Sequence, residues 1–600
     1  MSEALKVPAR HEIPVEYTWD LASIYPDDAR WREDTAALEA RLPEVAALQG
    51  TLGQGPASLL RVLQLRDEVN CRLDQLRVYA SMRRDSDSTE PAGQALTEVA
   101  GSLQARVQSA LAFIEPEILA LSNETITAWL EQDKGLKVYE YYLRDLIRQR
   151  DHVRSGEVES ILAQFSDVTR APAEIYLILT NADLAFPTIE DEQGQTVTLS
   201  PGRYRRFSES PDRRVRRDNF QQFHRAFGAI RNTLGTTLAA GVRTRVVNAR
   251  VRRYRSALEA ALHPNDIPLE VYHNLIAAIE QSLPRLHRYF RLRQRILALD
   301  ELHLYDLYAP LVPEVNPEVP FDEARRTLLE TFAVLGPEYL SALELAFRRR
   351  WIDVYENVGK RSGAYSGGSY TTAPFVLLNY QGRLDDLFTL AHELGHSMHA
   401  FFTRRTQPYI YGGHTAFVAE VASTLNEVLL TDYLLRTRPD PALRKHLVVQ
   451  QLEDIRTVIF RQTMFATYEL QVHKAVEAGE PLTAESLSRT YFDLVTGYHG
   501  PGVVIDDDIA IEWARIPHFY FNFYVYQYAT GLSASLALGR QILEQGQPAV
   551  ERYLRFLESG ASAPSIELLR RAGVDMTTPE PIRQAMLTMD GLLDTLEAMS

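Results

Sequence analysis

At 600 residues the chain is too long for one compact core and should divide into two or more lobes, with 45 % hydrophobic residues to fill them. A net charge of −15 argues against a general nucleic-acid binder, since neutralising phosphates needs a surplus of Lys and Arg, and no stretch has the apolar length of a membrane span. One cysteine, Cys71, excludes an intramolecular disulfide and fits a reducing compartment, so any metal ligands must be His and carboxylate.

The leader Met1 to Pro14 has no apolar core of signal-peptide length, and a cytoplasmic protein is expected. After Thr18-Trp19-Asp20-Leu21 and Ile24-Tyr25-Pro26, apolar residues recur at helical spacing from about Asp27 to Thr180, as in Ala57 to Met82 and Ala92 to Leu121. Leu184 to Ile189 and Thr196 to Leu199, parted by Asp191-Glu192-Gln193-Gly194, read as a small hairpin. Ser210-Pro211-Asp212 marks a helix start. The basic runs that follow, Arg213 to Arg217 and Arg243 to Arg255, read as solvated faces pairing with the many acids, with contact to a substrate carboxylate as the alternative. Helices continue through Val271 to Leu299 and Phe321 to Arg350, with a joint at Leu311-Val312-Pro313-Glu314. Gly363 to Tyr370 and Phe375 to Tyr380 then read as two short strands, whose edge could bind an extended peptide through main-chain hydrogen bonds.

Directly after them, Leu384 to Phe402 reads as a helix with Leu387, Leu390, Ala391, Leu394, Met398 and Phe401 on its apolar stripe and Asp385 and Asp386 at its start. It carries His392-Glu393-Leu394-Gly395-His396. Residues i and i+4 share a face, so His392 and His396 can offer imidazole nitrogens to one metal ion while Glu393 activates water. A catalytic site needs a third ligand, and Phe417 to Glu427 is a helical segment able to fold back across the first. Glu420 is the choice for that ligand. Glu427 is its rival and could instead orient a ligand histidine from behind. His399 is expected behind the ligands or at the surface. The spacing excludes a metzincin, which would carry Gly at 399 and His at 402.

Trp513 to Gly531 is rich in tyrosine. On a helix beginning near Pro517, Tyr520, Tyr524 and Tyr528 would share a face with His518 at its mouth, offering phenol and imidazole donors to a developing oxyanion.

These stretches together resemble the thimet oligopeptidase-type metallopeptidases, and most closely the oligoendopeptidase F branch. The resemblance implies a mainly α, two-lobed helical clamshell with a deep central channel and a small β-sheet beside the zinc helix. Residues 1–200 would form an N-terminal helical lobe and 201–600 the catalytic zinc metallopeptidase domain, whose helices contribute to both lobes. It further implies one catalytic Zn2+ held by His392, His396 and Glu420, with Glu393 as general base and His518, Tyr524 and Tyr528 as oxyanion and substrate contacts. The expected substrates are short unstructured peptides cut at internal bonds, by a monomer or homodimer with no nucleic-acid or membrane partner. The alternatives are a zinc carboxypeptidase and a catalytically inactive peptide-binding protein of the same fold. An aminopeptidase is disfavoured, because no Gly-x-Met-Glu-Asn segment is present to hold a free N-terminus.

Overall fold

Proline at the first turn, where its missing N–H costs nothing, opens several of the long helices, among them Pro56–Ser86 and Pro91–Leu111. The computed structural model describes residues 6–312 and 315–600. Residues 1–5 of the leader, and Pro313 and Glu314 of the 311–314 joint, lie outside the described residues. The fold is mainly α, as expected, and no helix among the described residues is long and apolar enough to cross a membrane.

Packing divides the chain into two compact units, each built from three separate segments. The first comprises Met1–Arg150, Asn316–Tyr433 and Leu538–Val574. Within it the 56–86 and 91–111 helices pack closely: a methyl on Gly93 would lie 2.8 Å from Arg84 Cα. Leu59, Val62 and Leu63 bury with Ile114, Ile118, Ile126, Leu130 and Leu143 in one apolar core.

The second unit comprises Asp151–Val315, Leu434–Ala537 and Asp575–Ser600. Its long helices include Arg231–Val251, Leu269–Ile296, Arg461–Glu477 and Glu580–Ala598. Here one sequence reading needs correction: Arg216 of the first basic run is not on a solvated face. It is 4 % exposed and pairs with the fully buried Asp306 at 2.8 Å, while Arg213 reaches the same carboxylate from the surface at 2.9 Å. A buried carboxylate needs such partners, since unpaired charge in the interior is costly.

Five short strands occur among the described residues. β1 (Thr188–Glu190) and β2 (Thr196–Thr198) form the expected antiparallel hairpin, with Thr188 opposite Thr198. Asp191 closes its turn by accepting from the Gln193 and Gln195 amides at 2.9 and 2.8 Å. β3 (Ile352–Asp353), β4 (Tyr365–Gly367) and β5 (Phe375–Leu377) form a second sheet in the order β3-β5-β4, parallel on one side of β5 and antiparallel on the other. β4 and β5 match the two expected strands. β4 is an edge, and it lies beside the helix that follows.

Candidate metal centre and active site

That helix, Leu384–Thr406, buries Leu387, Leu390, Ala391, Leu394 and Met398 at 1 % exposure or less, the stripe read from the sequence except for Phe401, which is only partly buried. Of the two acids at its start, Asp386 makes the cap, its Oδ2 accepting from the Arg383 and Gln381 amides at 2.9 and 3.0 Å. The next helix, Ala416–Thr437, crosses it at close range. Asn426 Nδ2 donates to the Ala391 carbonyl at 2.9 Å and is itself held by the Tyr339 hydroxyl at 3.1 Å.

The crossing brings His392, His396 and Glu420 together, the one group of three His, Cys or acidic residues among the described residues able to hold a metal ion. His392 Nε2 and His396 Nε2 stand 3.2 Å apart, and Glu420 Oε2 is 3.4 and 3.6 Å from them. Ligands at roughly 2.0–2.1 Å in a tetrahedron stand about 3.3 Å from one another, so the three atoms fit the corners of one coordination sphere. His392 turns its other nitrogen, Nδ1, to Glu427 Oε1. Glu427 thus sits behind the histidine, the alternative its spacing allowed, and sets which ring nitrogen faces the site.

The electrostatics also suit a cation. Burial pushes the His392 imidazole down, but hydrogen bonds to Glu420 and Glu427 outweigh it and raise it to about 10. The hydrogen bond to His392 lowers Glu420 to about 2 against the pull of burial. Burial and the His392 charge lower His396 to about 4, leaving its ring neutral. A positive charge is thus held where the three groups converge, and a divalent ion can take the proton's place.

Glu393, 8 % exposed, lies beside them in a cavity of about 510 Å3 lined by His392, His396, His414 and Glu420. Burial raises its carboxyl above the ordinary 4.5. The Glu420 charge adds to this, while the His392 charge and a hydrogen bond with the Ser366 backbone on β4 oppose it. Ser366 and Ser397 hydroxyls meet at 2.8 Å, tying the edge strand to the helix.

His399 is neither a ligand nor at the surface. It is 1 % exposed and stacks on His414, with ring centroids 4.3 Å apart, and Phe556 lies on it. His414 is not singled out by the sequence, where its only signal is a lone histidine after Gly412-Gly413. Burial holds it down at about 4, so it is a neutral imidazole in the cavity wall.

The remaining candidates, His518, Tyr524 and Tyr528, belong to the second unit. There the expected continuous helix from Pro517 is corrected. Pro517–Tyr520 is one short 3-10 turn, Asn522 and Phe523 take φ of +58° and +56°, and the helix begins at Tyr526. Tyr520 leaves the expected face and stacks on Tyr176 at 4.5 Å. His518 Nε2 and the Tyr528 hydroxyl remain 3.4 Å apart, and the Tyr524 ring packs edge-on against Tyr528 at 5.3 Å. Burial lowers the His518 imidazole. Phe523 in the left-handed region is strained for so bulky a side chain. The turn is held by Glu469, which accepts from the Phe523 amide at 2.7 Å, and by Arg245, which donates to the Phe519 carbonyl at 2.8 Å.

Comparison with known proteins decides the family. The model of peptidase family M3 matches residues 206–588, and one described as oligopeptidase F matches residues 117–186. The chain belongs to peptidase family M3. Within M3 it is 44 % identical over 597 residues to oligopeptidase PepF of Bacillus subtilis, covering 100 % of this chain and 89 % of that one. It is 39 % identical to the plasmid oligoendopeptidase F of Lactococcus lactis subsp. cremoris, covering 98 % of each. The crystal structure of oligoendopeptidase-F from Enterococcus faecium superimposes with a TM-score of 0.73 at 37 % identity, covering 95 % of this chain and 99 % of that one. The chain is accordingly a metallo-oligopeptidase of the oligoendopeptidase F branch of M3, with the helical fold of that branch.

Proposed function

We propose that this M3 peptidase hydrolyses internal bonds of short unstructured peptides, using one zinc ion held by His392, His396 and Glu420. The convergence of two Nε2 atoms and one carboxylate oxygen within 3.2–3.6 Å carries the reading. A bound zinc ion supplies Lewis-acid polarisation to the scissile carbonyl and to the attacking water. Glu393, in the same cavity, takes a proton from that water as it attacks and passes it to the leaving amine. Burial suits it to this exchange, since a carboxylate with a raised pKa is a stronger base than an exposed one. Glu427 holds His392 with Nε2 turned to the site. His518, Tyr524 and Tyr528 donate hydrogen bonds to the oxyanion and the substrate, a role supported by the clustering of their donor groups.

We propose further that residues 1–200 form a helical lobe and 201–600 the catalytic domain, whose helices contribute to both lobes; the separate family-model matches at 117–186 and 206–588 support this reading. The enzyme is proposed to act in the cytoplasm as a monomer or homodimer, on peptides alone, without nucleic-acid or membrane partners. Mass spectrometry of the products from a mixed peptide library, with and without a chelator, tests the reading. Internal cuts in peptides blocked at both ends, abolished by the chelator and restored by zinc, are expected. Release of single C-terminal residues only would favour the carboxypeptidase, and no turnover would favour the inactive binding protein.

A further inference from the structure

The chemistry above leaves one half-buried charge, Arg404, without a use. Arg404 lies on the 384–406 helix eight residues past His396, so His392, His396, Ala400 and Arg404 recur every four residues and line the same cavity of about 510 Å3. Its Nη2 donates to the Gly368 carbonyl at 3.2 Å, while Nη1 is buried and has no hydrogen-bond partner among the described residues. Other buried guanidinium groups are treated differently: Arg216 holds Asp306 at 2.8 Å, and Arg293 and Arg456 share Glu453. Burial without such a partner pushes the Arg404 guanidinium down to about 10, with the Asp74 charge opposing it. A planar donor with one nitrogen left without a partner beside a peptidase centre is a ready site for a carboxylate.

Placement says how far from the cut that carboxylate would be. Eight residues of helix rise about 12 Å, and an extended peptide covers that in three or four residues at about 3.3 Å each. β4 runs alongside this helix: Ser366 is bonded to Glu393 and Ser397, and Gly368, just past the strand's end, is bonded to Arg404. Gly368 and Arg404 also line a second cavity, of about 880 Å3, so the path does not end in a wall there.

We propose that Arg404 binds a substrate carboxylate three or four residues from the scissile bond, supplied by the peptide's own C-terminus or by an Asp or Glu side chain. The proposal rests on His392, His396 and Glu420 marking the place of cleavage.

Quenched peptides sharing one cleavable core separate the sources: one with a free C-terminus three or four residues after the cut, one amidated there, and amidated ones with Glu three or four residues to either side. Wild-type enzyme is expected to favour at least one carboxylate-bearing peptide over the neutral one by about 10- to 100-fold in kcat/KM, mostly through KM, the worth of a hydrogen bond to a charged group. Arg404→Gln should reduce that preference to within about twofold, and Arg404→Lys, which keeps the charge and loses the fork, should retain part of it. Cleavage of the neutral peptide with no preference in the wild type overturns the proposal, as does a preference that survives Arg404→Gln. Should the glutamine variant not fold, an undiminished preference in Arg404→Lys overturns it instead. The underlying placement of the centre fails separately, if Glu393→Gln keeps its activity on the neutral peptide.

Discussion

Gly395 and Ser423 face each other so closely that a methyl on Gly395 would lie 2.5 Å from Ser423 Cα and 2.6 Å from the Ala422 carbonyl oxygen. The glycine between the two histidines is therefore what allows the helix bearing Glu420 to reach them. Both contacts are to backbone, so no side chain can swing aside.

Gly395→Ala consequently forces the two helices apart. Overpacking of this kind costs about 1–3 kcal/mol, and the larger effect is expected on the metal, because Glu420 moves away with its helix. Thermal unfolding combined with zinc content per chain checks this. A variant with wild-type zinc affinity would mean the close approach is incidental to the site.

Glu427 orients His392 through Nδ1, which leads to a second expectation. Glu427→Ala should weaken zinc binding about 10- to 100-fold, the usual worth of an outer partner, while Glu420→Ala removes a ligand and should weaken it more. Competition against a fluorescent zinc chelator measures both. The reverse order would exchange the two glutamates' roles.

A third concerns pH. In the proposed mechanism Glu393 must be ionised to accept a proton, and its ionised fraction grows as pH rises. Because burial raises its pKa above 4.5, the acid limb of kcat/KM should fall above the ordinary carboxylate range. A profile of kcat/KM against pH that stays flat down to 4.5 would contradict this.

Glu469 supplies a fourth. Burial raises its carboxyl to about 7 from the ordinary 4.5, with the Arg245 charge and the Phe523 amide opposing. An acid whose folded pKa is raised adds stability that is fully present below 4.5 and is lost as pH rises through about 7. Glu469→Gln should thus flatten the fall in Tm between those values, and an unchanged slope would show that the group does not titrate there.

The proposed ligand pair is legible in the sequence because helical periodicity turns a four-residue spacing into a shared face, and the proposed third ligand because a second helix follows at short range. His414 is not, since a lone histidine in a glycine-bearing connection has no period to mark it. The 516–531 stretch misleads for a related reason. Pro517 and tyrosines four apart look helical locally, whereas the left-handed pair Asn522 and Phe523 is imposed by Glu469, distant in sequence. Asn tolerates that conformation and Phe does not, so nothing local announces it. β3 has only two residues, Ile352 and Asp353, too few to show alternation. The three-segment make-up of each compact unit depends on long-range packing, which local pattern does not report.

The most direct test of the centre is Glu393→Gln, assayed for zinc content and for cleavage of an end-blocked quenched peptide. The three ligands are untouched and the proton acceptor is gone, so zinc should remain at one per chain while cleavage falls by about 10²-fold or more, the lower end of what a general base contributes. A glutamine variant that still cuts the peptide at the wild-type rate would contradict the account.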